Sequence, residues 1–258
     1  MGLLINIEAI DRGGKTTQAR AVGEGLTAAG LSVALMSFPD TPSRSRETTP
    51  AHFSTGILIE RDLDSNLPMI DLRDSIFRIE GLRELPIEVK ETVVANITEK
   101  LVQVLYSVNR RERADALREA LATHDVVLVG RYLSAHTYGV AGGVSRLQLD
   151  SLEGDLPHPY LTFLLDLDPA VARARRAEEG YDRYEIDQDF QIKVRKLYNE
   201  LVREDAEDAV ENGRPPAFVR LDASAPPERI SADIVAEVLL RHWASIDASL
   251  RHEKETPR

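Results

Sequence analysis

The sequence predicts an α/β protein, a central parallel sheet with helices on both faces, and two observations carry the prediction. Five short apolar runs, at residues 3–7, 32–37, 126–129, 161–165 and 218–221, are continuous rather than alternating, as strands buried on both faces are. Each leads into a stretch with helical periodicity, which is the rhythm of strands joined by crossover helices.

The first strand, 3–7, begins almost at the N-terminus and feeds a helix over 16–29 that stops at Gly30. The second strand, 32–37, is followed by a stretch that breaks the rhythm. Residues 40–92 carry Thr41-Pro42-Ser43, Thr48-Thr49-Pro50 and mixed charges, and read as an irregular insertion or lid with some helix, spanning about 45–95. A long helix is expected over 94–123, before the strand at 126–129. After the strand at 161–165, Asp168-Pro169 is a helix start, with an N-cap acid and a proline at the first helical position, and the helix runs to 179. Helical patterns over 189–210 and 227–246 flank the last strand. Residues 251–258 form a polar, proline-containing tail expected to fray. The organisation is one domain over 1–250, with an insertion and a short tail.

Composition narrows the function. A chain of 258 residues with 43% hydrophobic residues can build one large core. A net charge of −11 argues against broad binding to a nucleic-acid backbone, so a small anionic ligand needs a local basic pocket. No cysteine is present, which excludes disulfides and thiolate metal sites. The first residues run into a strand without the basic region of a signal peptide, and no apolar run approaches the roughly 20 residues that span a membrane. A cytoplasmic protein is expected.

Between the first strand and the first helix lies Glu8-Ala9-Ile10-Asp11-Arg12-Gly13-Gly14-Lys15-Thr16-Thr17. This is the context of a phosphate-binding loop and predicts a three-layer P-loop NTPase fold. Gly13 and Gly14 let backbone N–H groups turn toward phosphate oxygens. The helix N-terminus adds its dipole, Lys15 supplies charge at the β and γ phosphates, and Thr16 offers a hydroxyl to Mg²⁺. The run from Gly13 to Thr17 is the expected ATP cradle. Ala9 stands where the loop pattern has its first glycine, and fits if its φ stays negative.

At this loop the chain begins to resemble the thymidylate kinases, and the resemblance continues in order. Phe38-Pro39 ends the second strand as in that family. Leu105-Tyr106-Ser107-Val108-Asn109-Arg110 resembles its Leu-Phe-Ser-Ala-Asn-Arg helix, and Arg131-Tyr132 its Asp-Arg-Tyr motif. Ser134 to Tyr138, Asp166-Leu167-Asp168-Pro169 with Arg175, the lid-like Tyr181-Asp182-Arg183-Tyr184-Glu185 and Leu221-Asp222-Ala223-Ser224 follow. The likeness covers most of the chain outside 45–95. It implies transfer of the ATP γ-phosphate to dTMP with Mg²⁺, in a homodimer whose face comes from the 94–123 helix.

The resemblance also implies roles. Asp11 lies near the acceptor sugar 3′-hydroxyl, and Arg12 bridges donor and acceptor phosphates. Phe38 belongs to the acceptor site, where Tyr106 stacks on the pyrimidine and Arg110 reaches its polar edge. Arg131 clamps the acceptor phosphate, and Tyr138 lines the base pocket. Arg183 swings over the phosphates, Tyr184 crowds the sugar 2′ position, Gln191 contacts the acceptor, and Arg175 lies along the donor adenine. Plainer readings stand beside these: Arg12 and Arg131 as surface charges, Tyr106 and Tyr138 as packing aromatics, Arg183 and Tyr184 as an ordinary helix end.

The match departs at Gly130, where the family has an aspartate that helps hold Mg²⁺, leaving the task to Asp11 or Glu8. After Phe38-Pro39, the sequence Asp40-Thr41-Pro42-Ser43 precedes Arg44 and Arg46, whereas many members have an arginine sooner. Two other readings therefore stay open: a kinase for another nucleotide or nucleoside, and a nucleotide-binding protein that has lost catalysis.

Overall fold

The computed structural model describes residues 1–38, 86, 104, 106–175 and 187–255. The insertion at 45–95 is almost wholly outside the described residues, and so are Arg44, Arg46 and the lid residues Arg183 and Tyr184.

In chain order the elements are β1 (Leu3–Ala9), α1 (Lys15–Ala28), β2 (Val33–Ser37), α2 (Ala114–Thr123), β3 (Val126–Gly130), α3 (Ser134–Ala141), α4 (Arg146–Glu153), β4 (Leu161–Asp166), α5 (Pro169–Ala174), α6 (Gln188–Glu211), β5 (Phe218–Asp222) and α7 (Pro227–Glu255). The strands form one sheet in the order β2-β3-β1-β4-β5, with every pairing parallel. The three inner strands are buried at every position and the two edge strands only partly, which is why their sequences read as unbroken apolar runs.

Alternation along β1 decides what lies on each face. Ile5 and Ile7 pack with Val22 and Leu26 of α1 and with Ile234 and Val238 of α7. Leu4 faces the other way, into a second core with Val127, Val129, Leu117 and Leu121. Farther along that second face stand Asn6 and Glu8, polar yet fully buried. Parallel strands bring the turns after β1, β3, β4 and β5 to one edge of the sheet. The chain leaves β1 toward β2 on one side and reaches β4 on the other, and such a reversal opens a crevice at the carboxyl ends of the strands.

Two expectations are corrected, and two helices are added. The long helix over 94–123 is not continuous: residues 106–112 are helical, Arg113 makes a turn in which its N–H bonds Arg110 O at 3.2 Å, and α2 starts afresh. The last helix passes 246 and continues to Glu255, into the stretch expected to fray. Helices α3 and α4 lie between β3 and β4, a stretch for which the sequence predicts no element.

Candidate active site

The loop after β1 has the geometry that its residues require. Gly14 sits at φ 95°, a left-handed conformation that glycine adopts without strain. Gly13 is needed for space instead: a Cβ there would lie 2.5 Å from the Ala9 Cβ. Ala9 ends β1 fully buried and is not among the residues with positive φ, so its methyl group is accommodated as expected. Lys15, the first residue of α1, is buried, and its ammonium donates to the carbonyls of Ala9 (2.7 Å) and Ile10 (2.8 Å). The first turn of α1 has neither a side-chain cap nor an acidic residue, which leaves its positive end to an anion. Thr16 and Thr17 are exposed beside it.

Three of the sequence-predicted residues converge on a fourth, the Asp11 carboxylate. Asp11 Oδ1 accepts from Arg131 Nη2 at 3.2 Å, and Oδ2 accepts from the Tyr138 hydroxyl at 2.9 Å and Gln191 Nε2 at 3.0 Å. The Asp11 N–H donates to Gln191 Oε1 at 3.2 Å, closing a reciprocal pair. These residues come from the β1 loop, the turn after β3, α3 and α6. Burial pushes the Asp11 carboxyl up, but Arg131, Lys15, Tyr138 and Gln191 together outweigh it and hold the pKa below the usual range. Burial raises the Tyr138 phenol, so it stays protonated and donates.

Behind this cluster Glu8 ties the frame together. Its Oε1 accepts from the Leu133 N–H at 2.7 Å and its Oε2 from the Tyr198 hydroxyl at 2.8 Å. It therefore couples β1 to the turn that carries Arg131 and to α6. Desolvation raises its pKa, partly offset by Lys15, Tyr198 and Leu133. Both Glu8 oxygens accept a hydrogen bond, and Asp11 accepts from three side chains.

A cleft of about 690 Å³ opens beside the loop, lined by Lys15, Thr16, Gly130 and Arg131 among others. A Cβ on Gly130 would meet no atom of the described residues within 4 Å. The other expected residues have the following surroundings. Tyr106 is half-buried on the 106–112 helix. Arg110 is 2% exposed and paired with Glu153. Phe38 is buried in the second core, edge-to-face with Tyr132 at 5.5 Å between ring centroids. Arg175, just after α5, donates to Ala223 O at 2.5 Å in the turn after β5. Tyr198 and Glu153 were not singled out from sequence; their partners are 190 and 43 positions away, and no local spacing signals either.

The family model for thymidylate kinase matches residues 87–234. A thymidylate kinase of Leifsonia xyli subsp. xyli is 36% identical over 168 residues, covering 60% of this chain and 74% of the relative. One of Schizosaccharomyces pombe is 28% identical over 235 residues, covering 91% and 90% respectively. A solved thymidylate kinase of Candida albicans superposes with a TM-score of 0.59 at 24% identity over 93% of both chains, a likeness that bears on the fold.

Proposed function

The chain belongs to the thymidylate kinase family, and from that premise we propose that this chain's own residues carry out transfer of the ATP γ-phosphate to dTMP as follows. An oxygen of the acceptor phosphate forms a bond to the γ-phosphorus, the bond from the γ-phosphorus to the β-bridging oxygen breaks, and ADP leaves. Lys15 and the backbone N–H groups of the loop neutralise the donor phosphates, with Arg12 bridging the two nucleotides as charge moves. Arg131 holds the acceptor phosphate. Asp11, kept ionised by its neighbours, accepts from the acceptor sugar hydroxyl, while Tyr138 and Gln191 hold Asp11 in place. The observation that carries this reading is the convergence of Asp11, Arg131, Tyr138 and Gln191 beside the lysine loop.

The residues present fit Mg²⁺ held chiefly by nucleotide phosphates and water. Among the described residues no cluster of three or more His, Asp or Glu could hold a metal, while the exposed Thr16 hydroxyl lines the same cleft as Lys15. When bound, Mg²⁺ would offset charge on the β and γ oxygens. Among the described residues no helix is long and apolar enough to cross a membrane. A homodimer, which rests on the family resemblance alone, and the cytoplasmic location expected from the sequence complete the proposal.

A panel of nucleoside monophosphates with ATP and Mg²⁺ tests acceptor choice. The expected outcome is fastest ADP release with dTMP. Turnover with another acceptor and none with dTMP would replace this reading by a kinase of different specificity, and nucleotide binding without any turnover would replace it by a binding protein.

A further inference from the structure

Arg110 does not stand alone on the 106–112 helix. Its Nη2 donates to Ser107 Oγ at 3.2 Å and to Glu153 Oε1, and the Ser107 hydroxyl donates to the same Glu153 oxygen at 2.6 Å. Ser107 is fully buried and Glu153 is 13% exposed. Glu153 is the last residue of α4, where helix carbonyls make a carboxylate unfavourable unless a cation compensates it. This region is also fastened without Glu153: Arg111 of the 106–112 helix donates to Leu152 O and to Asp155 Oδ2 (2.9 Å), and Arg118 of α2 to Asp155 O (3.0 Å). The contact of Glu153 is with the guanidinium itself. The Arg110 Nε–H is buried and has no hydrogen-bond partner among the described residues, a donor whose cost is relieved when a ligand accepts from it.

We propose that Glu153 is a positioning residue for acceptor recognition. With Ser107 it fixes the Arg110 guanidinium and cancels its charge, so that Arg110 meets the acceptor as an oriented hydrogen-bond donor to a neutral base carbonyl. The inference rests on the reading that Arg110 faces the acceptor base. A pyrimidine with a carbonyl at that edge is favoured, and one with an amino group is rejected, because two donors would then oppose each other.

The test compares Glu153→Gln, Glu153→Ala, Arg110→Met and the double variant Arg110→Met/Glu153→Ala. KM for dTMP, KM for ATP, kcat and the dTMP to dCMP ratio are measured, with thermal midpoints to verify folding. Glu153→Ala is expected to raise the dTMP KM about tenfold and to narrow the dTMP to dCMP ratio, leaving kcat and the ATP KM within about twofold. Glu153→Gln, which keeps the acceptor oxygen but not the charge, is expected to give a smaller rise and keeps the test valid if the alanine variant does not fold. In the Arg110→Met background, Glu153→Ala should add nothing to the dTMP KM. An unchanged dTMP KM in folded Glu153→Gln and Glu153→Ala, or an equal rise in the Arg110→Met background, overturns the proposal while leaving Arg110 at the base. An unchanged dTMP KM in Arg110→Met overturns the placement of Arg110 and the proposal with it.

Discussion

Arg12 and Arg131 hold left-handed backbone, at φ 61° and 60°, although neither is glycine. Such conformations cost on the order of 1–3 kcal/mol each and persist where the surroundings fix them. Here they stand on either side of Asp11, in the turns after β1 and β3. Two variants separate the strain from the charge. Arg12→Ala keeps the strained backbone and loses the guanidinium, whereas Arg12→Gly relieves the strain as well. Both should lower kcat by roughly 10²–10³-fold with little change in ATP affinity, and thermal unfolding should find Arg12→Gly the more stable of the two. A variant that mainly weakened ATP binding would remove Arg12 from its bridging role. Gly130 allows the reverse experiment. Its surroundings leave room for a side chain, so Gly130→Asp should fold normally and reach half-maximal rate at a lower Mg²⁺ concentration. No change in Mg²⁺ dependence would show that Thr16 and the phosphate oxygens suffice.

The coupling between elements runs through Glu8, which links β1 to the turn after β3 and to α6. Because burial raises its pKa, the folded chain retains a proton that the unfolded chain releases. Stability from this group is therefore present below the ordinary carboxylate range and lost as pH rises through the folded pKa. Glu8→Gln keeps an acceptor for the Leu133 N–H and removes the ionisation. Its thermal midpoint relative to the parent protein should be higher at about pH 7 than at about pH 4; an offset equal at both, or reversed, would show that Glu8 does not titrate in this way. The strands were legible as elements because burial on both faces leaves an apolar run with no alternation to misread. Helices were legible where periodicity was long. Helix α3 escaped because Ser-Ala-His-Thr-Tyr-Gly-Val-Ala has no apolar stripe. Helix α4 did carry a signal, the capping box in which Ser145 accepts from the Gln148 N–H and the Gln148 side chain reaches back to the Ser145 N–H. The turn at Arg113 left no trace in sequence, since periodicity continues through it.

At the scale of the whole molecule, the parallel sheet decides where chemistry can occur. Motifs 120 and 180 positions apart meet at Asp11 because strand ends share one edge. Their order along the chain was readable, whereas the sheet order β2-β3-β1-β4-β5 was not, because pairing among buried apolar strands leaves little mark on any one of them. The same distance hid Glu153 and Tyr198, whose roles exist only after folding. A chain carrying a net charge of −11 places Lys15 and Arg131 together along the cleft at this edge, with Arg131 paired to Asp11. On the proposed mechanism this edge moves the ATP γ-phosphate onto dTMP through the lysine loop. The most direct test follows label from γ-labelled ATP into nucleoside diphosphate, using the parent protein and a folded Lys15→Ala variant. Labelled dTDP is expected from the parent protein, with a rate lower by at least about 10²-fold in the variant; absence of label in dTDP, or equal labelling by both proteins, would overturn the proposed mechanism.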